Sequence, residues 1–399
     1  MNRKERCLPF SFLQMSLWGS YGIAYTYINR YLLNEGMSNA QIGLLLGAAT
    51  AAGFFIQSCL AGKVDGVCLT ARKILLCGGI LQILTMTGLL LSRALWLTVL
   101  LYCISYTGLL IIPSFVNVFG VQSIKAGKRI NLGISRGLGS VTFSLTCQLA
   151  SQFIELGGYR TVPVFTILLS IAFTASLLLC PKIADQSAVP AEKTRGGVVD
   201  FFSKYPMFLL YVAALACCGI SHSMLRNSMY QIALWKGDVA AQGIGLSLAA
   251  FTEIVPMFLY ITLKRIRSNG FWMCFSSLFY LVRNLLILIL PGVTGLYIAQ
   301  LTQMLAAGIS MVATVYFIAE QLPDAYLVRG QAYGGAASII GSLIAYISSG
   351  FLLDRVSLPL LIGLGAVMAL LGTILMFIAV HRCSAYSASA PSAASLCQR

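Results

Sequence analysis

Charge is scarce in this sequence, and several of its charges sit where they could do chemistry. Glu253 stands in the middle of a long apolar run, Ala249-Ala-Phe-Thr-Glu253-Ile-Val-Pro256. Arg283 is equally central in Tyr280-Leu-Val-Arg283-Asn284. His222 and Arg226 lie four residues apart in Ser221-His222-Ser-Met-Leu-Arg226-Asn227, a spacing that puts both on one helix face. Arg136 begins another apolar run, in Ile134-Ser-Arg136-Gly137-Leu-Gly139-Ser140. An isolated carboxylate among apolar residues favours its protonated form, which suits a group that takes up and releases a proton. A nearby guanidinium opposes that tendency, so Glu253 beside Arg283 makes a pair whose proton could be switched. An imidazole ordinarily titrates near neutral pH, which admits His222 to the same role. Each has a plainer reading: a structural ion pair for Glu253, a packing histidine for His222, a snorkelling arginine for Arg136.

The elements that must position these residues are membrane helices. Of 399 residues, 58% are hydrophobic and 10% charged, and the mean hydropathy is +0.85. Apolar runs of about 20 residues recur along the chain, the length that crosses a bilayer. They do not alternate as barrel strands would, and in lipid the backbone's polar groups must be satisfied internally, which leaves helices. The runs lie at roughly 8–33, 40–62, 73–92, 95–119, 131–153, 161–181, 206–234, 241–264, 271–290, 293–319, 329–353 and 358–380. The fold class is therefore an all-α membrane protein of twelve spans. Met1–Phe10 is basic and leads into an apolar run too long for a secretory signal, so it opens a retained first span.

The net charge of +15 has a topological explanation rather than a nucleic-acid one. Nineteen Lys and Arg residues outside the spans fall on one side and four on the other, which places both termini in the cytoplasm of a cell-membrane protein. The connection 182–205 divides the chain into six spans and six: an N-terminal half 1–181 and a C-terminal half 206–383, with 384–399 as a disordered Ser- and Ala-rich tail. Gly36-Met-Ser-Asn-Ala-Gln-Ile42-Gly43-Leu44 is echoed by Gly237-Asp-Val-Ala-Ala-Gln-Gly-Ile244-Gly245-Leu246, each following the first span of its half. Parallel six-span repeats place a binding site at midplane between the halves.

The same residues resemble a known group, the branch of the major facilitator superfamily that holds lactose permease and the phenylpropionate permeases, across roughly 8–380. Leu33-Asn-Glu-Gly36 with Ile42-Gly43-Leu44 resembles its first outer loop, Arg136-Gly-Leu-Gly139-Ser140 its span-five pattern, and Ser221-His222, Glu253 and Arg283 its motifs in spans seven, eight and nine. Phe143 falls where that permease stacks a tryptophan on sugar, and Gln300-Leu-Thr-Gln303 resembles a Gln-Leu-Leu-His pattern with Gln303 in place of the histidine. Asn117 stands where an acidic partner of the span-five arginine is expected, and Asp65 with Arg72 and Lys73 is a worn form of the superfamily's loop between spans two and three.

The expected function is secondary active transport by alternating access: proton-coupled symport of a sugar, nucleoside or aromatic acid by a monomer. Glu253, Arg283 and His222 would serve the proton. Arg136, Phe143, Asn117, Arg226, Gln300, Gln303 and Tyr106 would serve the solute, and Asp65, Arg72 and Lys73 the gating loop. Three embedded arginines against one carboxylate would attract an anionic group. Efflux is the alternative transport direction, although the Pro-bearing span-five motif of such exporters is missing between residues 131 and 153. A non-transporting sensor on the same fold stands further off. Enzymatic chemistry has no HExxH or phosphate-loop motif to rest on, and the twelve cysteines have no ligand spacing, so no cofactor or metal is expected.

Overall fold

The computed structural model describes residues 8–65, 70–128, 130–181 and 198–389, helical almost throughout and without a strand among them. Ten of the described helices are long and apolar enough to cross a bilayer: Asn39–Ala61, Ala71–Leu91, Leu95–Ile124, Thr161–Leu179, Pro206–Asn227, Ala241–Ile266, Asn269–Ile289, Gly292–Gln321, Arg329–Leu353 and Leu358–Arg382. They are spans two, three, four and six to twelve of the expected twelve. Span one is interrupted, running as Leu8–Ser20, a π turn at Tyr21–Tyr25, and Ile28–Asn34. Span five, Leu132–Gly157, is rich in Ser on its buried side. Large apolar side chains such as Leu84, Leu156, Phe258 and Ile289 stand exposed around the bundle, the lipid-facing surface of a membrane protein.

The two halves repeat one packing scheme. Span one packs on spans five and six, span three on four and six, and span two on four; seven packs on eleven and twelve, nine on ten and twelve, eight on ten. The sequence echo has a structural counterpart. Gly36 and Gly237 both adopt positive φ, +88° and +103°. Each ends the first span of its half with the same pair of bonds: Gly36 N–H to Leu33 O and Met37 N–H to Leu32 O, Gly237 N–H to Leu234 O and Asp238 N–H to Ala233 O. Glycine is required there because only it enters the left-handed region without penalty.

The halves meet where span two lies on span eleven and span five on span eight. A Cβ on Gly350 would stand 2.9 Å from Gly43 Cα, so both positions must be glycine for spans two and eleven to touch. Side-chain bonds between the halves gather toward the end away from the termini: Asn29 to Asn227, Tyr25 to Tyr346 at 2.7 Å, Gln231 to Asn39 at 2.8 Å. Asn29 and Asn227 sit beside breaks in spans one and seven, at Thr26–Tyr27 and Ser228, where helical hydrogen bonding lapses.

Two expectations change. The sequence suggests a tail from Ser384, but the last helix continues to Ser389, since alanine and even serine sustain a helix once one is propagating. The connection 182–205 ends in a short helix, Val198–Lys204, which buries Phe201 against Phe208 and Tyr333; residues 182–197 lie outside the described residues.

Asp354 closes the contact at the sealed end. Its carboxylate accepts from Asn39 Nδ2 and from the backbone N–H of Ala40, both at 2.8 Å, so the C-terminal end of span eleven caps the N-terminal end of span two across the halves. Partial burial pushes this carboxyl up, but the bonds from Asn39 and Ala40 outweigh it and hold it below the usual carboxylate range. A depressed carboxyl contributes stability that is present above its ordinary value of about 4 and lost as pH falls through the lowered one. Spin labels on the loops between spans one and two and between spans seven and eight should keep one separation from pH 8 to 5. Asp354→Asn should broaden that distribution toward longer distances throughout the range; an unchanged distribution would mean that Asp354 does not hold this end shut.

Candidate functional site

Between the halves lies an open cavity of about 220 Å³, lined among others by Trp18, Arg136, Phe143, His222, Arg226, Glu253, Arg283 and Gln303. The size suits a small organic molecule. Helix irregularities deliver these side chains. Pro256 has no N–H to bond the carbonyl of Thr252, so span eight breaks into Ala241–Thr252 and Ile254–Ile266 with Glu253 at the joint. Span ten contains a π turn, Met304–Gly308, directly after Gln303. Gly308 faces Pro256 and Glu253 so closely that a Cβ there would stand 2.6 Å from the proline ring. Span one's π turn carries Gly22 against the Phe143 carbonyl of span five, where a Cβ would stand at 2.8 Å.

The chemistry centres on Arg283, a cation with 2% of its surface exposed. Its Nη2 donates to Gln300 Oε1 at 2.6 Å, and its Nη1 donates to Gln303 Oε1. Gln303 then donates from Nε2 to Glu253 Oε1 at 2.7 Å. Carboxylate and guanidinium are thus joined through an amide rather than in a direct pair. His222 Nδ1 lies 3.2 Å from Arg283 Nη1 and 3.4 Å from Gln303 Nε2. A guanidinium only donates, and the amide oxygen of Gln303 is already engaged by Arg283, so Nδ1 must accept and the imidazole is neutral with its proton on Nε2. Asn284, the next residue on span nine, bonds Ser221 Oγ at 2.8 Å and fastens span nine to span seven.

Arg136 donates to Ser140 Oγ at 2.7 Å and lies flat on Trp18, its Cζ 3.7 Å from the ring centroid. Trp18 is oriented in turn by a bond from its Nε1 to Gln14 at 3.0 Å. Arg226 rests on the ring of Tyr25 at 4.3 Å, and Tyr25 stacks on Tyr106 at 4.8 Å with 6° between planes. Behind Arg226 a second, narrow chamber of about 20 Å³ is lined by Tyr25, Asn29, Tyr106, Asn227 and Tyr346.

The model of the MFS_1 like family matches residues 10–362. The chain belongs to that family. It is a membrane transporter of the major facilitator superfamily, not an enzyme. No curated protein matches its sequence. Among solved structures it resembles a variant of the nucleoside transporter NupG, with a TM-score of 0.77 at 16% identity over 95% of this chain and 99% of that one. The peptide transporter POT matches at 0.69 and 12%, over 94% and 95%. A bacterial homologue of the human lysosomal transporter Spinster, in an inward-facing and unoccupied conformation, matches at 0.66 and 12%, over 94% and 96%. At these identities the likeness is one of fold.

In this transporter the expected residues separate into groups. Glu253, Arg283, His222, Arg136, Phe143, Arg226 and Gln303 share the cavity. Gln300 is fully buried and props Arg283 from behind, and Tyr106 belongs to the second chamber. Asn117 is exposed on span four and outside both cavities, because the buried face of that helix there carries Phe115, Val116 and Phe119. Arg72 donates to the carbonyls of Cys180 and Leu178 at 2.7 and 3.2 Å, closing the C-terminal end of span six, and Lys73 lies in the first turn of span three. The side chain of Asp65 lies outside the described residues. Sequence reasoning passed over Trp18 and Tyr346; a tryptophan four residues after a glutamine on a membrane helix was the available signal for the first.

Gln303→Leu should leave Glu253 and Arg283 each short of a buried partner and lower stability by about 1–3 kcal/mol. Chemical unfolding in detergent measures it, and a variant as stable as the parent would show that the amide bridge carries no weight.

Proposed function

We propose that this transporter is a proton-coupled symporter that imports a small polar or anionic organic solute, of the sugar, nucleoside or aromatic-acid classes, across the cell membrane as a monomer. The observation that carries the reading is one carboxylate, Glu253, in the same cavity as three guanidiniums and linked to one of them by Gln303. Charge at this depth costs roughly 2.5–3.5 kcal/mol per residue on insertion scales, so four charges in one cavity call for a function. Protonating Glu253 removes the cavity's negative charge and one end of the bridge, which alters what a solute meets there. Arg136, Phe143 and Arg226 would hold the solute, while Glu253, Arg283 and His222 would report its presence to the proton.

The distribution of basic loop residues assigns the termini to the cytoplasm. The end sealed by Asp354 and the glycines then faces outward, and the cavity belongs to an inward-open state. Rocking the halves about the centre would break the contacts of spans two and eleven and expose the same site outside.

In proteoliposomes loaded with no solute, one class from a panel of labelled sugars, nucleosides and aromatic acids should accumulate only under an inward proton gradient. Glu253→Gln should abolish that uphill accumulation and leave counterflow exchange. If the variant still concentrates solute, Glu253 is not the proton carrier; if no gradient drives the parent, symport itself is wrong.

A further inference from the structure

We infer that the transported solute is an organic oxyanion whose acidic group is received by Arg226. The inference deepens the proposed function and rests on its reading of the central cavity as the solute site.

The three cavity arginines are not equivalent. Arg283 is consumed by the protein: both terminal nitrogens are bonded to Gln300, Gln303 and His222. Arg136 is docked inside the first half, bonded to Ser140 and flat against Trp18. Arg226 has no protein acceptor among the described residues; it rests over the ring of Tyr25 and lines the cavity. Glu253, the carboxylate that could have neutralised it, is committed to the amide of Gln303 instead. A guanidinium presents its donors as a planar fork matched to a carboxylate or a phosphate, and an open fork in an aromatic setting supplies half of such a pair. The other half must come from outside the chain.

The position of Arg226 adds a second argument. It lines both the cavity and the narrow chamber behind it, which is too small for an organic solute, so a ligand reaching it from the open end keeps its body in the cavity and ends at the junction. Phe143 on the cavity wall offers an aromatic side chain to an apolar or planar body. Arg226 also sits where binding can be felt by the closed end. The ring it rests on, Tyr25, bonds Tyr346 of the other half at 2.7 Å, and its chain neighbour Asn227 bonds Asn29 of the other half. An oxyanion that draws the guanidinium off Tyr25 acts directly on the two bonds that bind span one to spans eleven and seven.

The test uses matched pairs that differ in charge alone or nearly so: benzoate against benzamide, hexanoate against hexanamide, and phenyl phosphate against phenol. Each is titrated against the purified full-length protein while thermal unfolding is followed. At least one anion should stabilise the protein where its neutral partner does not, and the carboxylate and phosphate arms tell which oxyanion the fork takes. Arg226→Gln should weaken that binding about ten- to hundredfold, the loss of a charge-assisted contact, with its ligand-free unfolding temperature near that of the parent. Arg226→Lys, which keeps charge but not the fork, should recover part of it. Equal effects of acid and neutral partner, no effect of any anion, or undiminished binding by Arg226→Gln would each overturn the inference. Uptake separates it from the reading beneath: an acid that binds through Arg226 without gradient-driven accumulation defeats proton coupling alone. Gradient-driven accumulation of a neutral solute defeats the oxyanion alone.

Discussion

The amide of Gln303 stands between the guanidinium of Arg283 and the carboxylate of Glu253, and the arrangement of the second half can be understood as the means of putting it there. A direct pair between the two charges in a medium of low dielectric would be held by a Coulomb attraction of many kcal/mol and would release neither partner readily. An amide is neutral and reorients at small cost, satisfying a donor with one end and an acceptor with the other. It lets a cation and an anion share the interior without locking into a direct pair. To hold Gln303 in place, span ten needs the π turn that follows it, and span eight needs the break at Pro256 that brings Glu253 within reach. Gly308 then allows the two irregular segments to touch.

Irregular helices are costly in a bilayer unless the freed polar groups face protein or water. Here the breaks in spans one, seven, eight and ten lie beside the two chambers, where both are available. The remaining spans are regular and hold the frame. The first span of each half breaks where it packs against two neighbours within its own half and also reaches the other half, through Asn29 in one case and Asn227 in the other.

Much of this was legible in the sequence, for physical reasons that also set the limits. Hydrocarbon depth enforces span length, so the elements and their number can be counted; basic loop residues resist translocation, so sidedness can be proposed. Charges are so expensive inside the membrane that each of Glu253, Arg283, Arg226 and Arg136 announces itself, and all four do line one cavity. What could not be read is which way a helix turns when it is apolar all round. Span four gives no amphipathic signal, so nothing distinguished Asn117 from Phe115 or Phe119, and the polar residue proved to be exposed and outside both cavities. Tyr346 escaped for the same reason in span eleven, where its partner, Tyr25, lies three hundred residues earlier in the chain.

The two ends of the contact between the halves differ in a way that bears on how the molecule moves. At the sealed end the halves join by backbone-close helix packing at Gly43 and Gly350, by neutral hydrogen bonds, and by one carboxylate capping a helix. These are short-range interactions, each of order 1 kcal/mol, lost together once the helices part by an ångström or two. A contact made of many weak, short-range terms is cooperative: it is shut or open, with little between. The charges at the centre act over longer distances and change by whole units when a proton or an oxyanion arrives. A change of that size at the centre is comparable with the sum of the terms that hold the end closed, which is the condition for a small molecule to move the whole assembly.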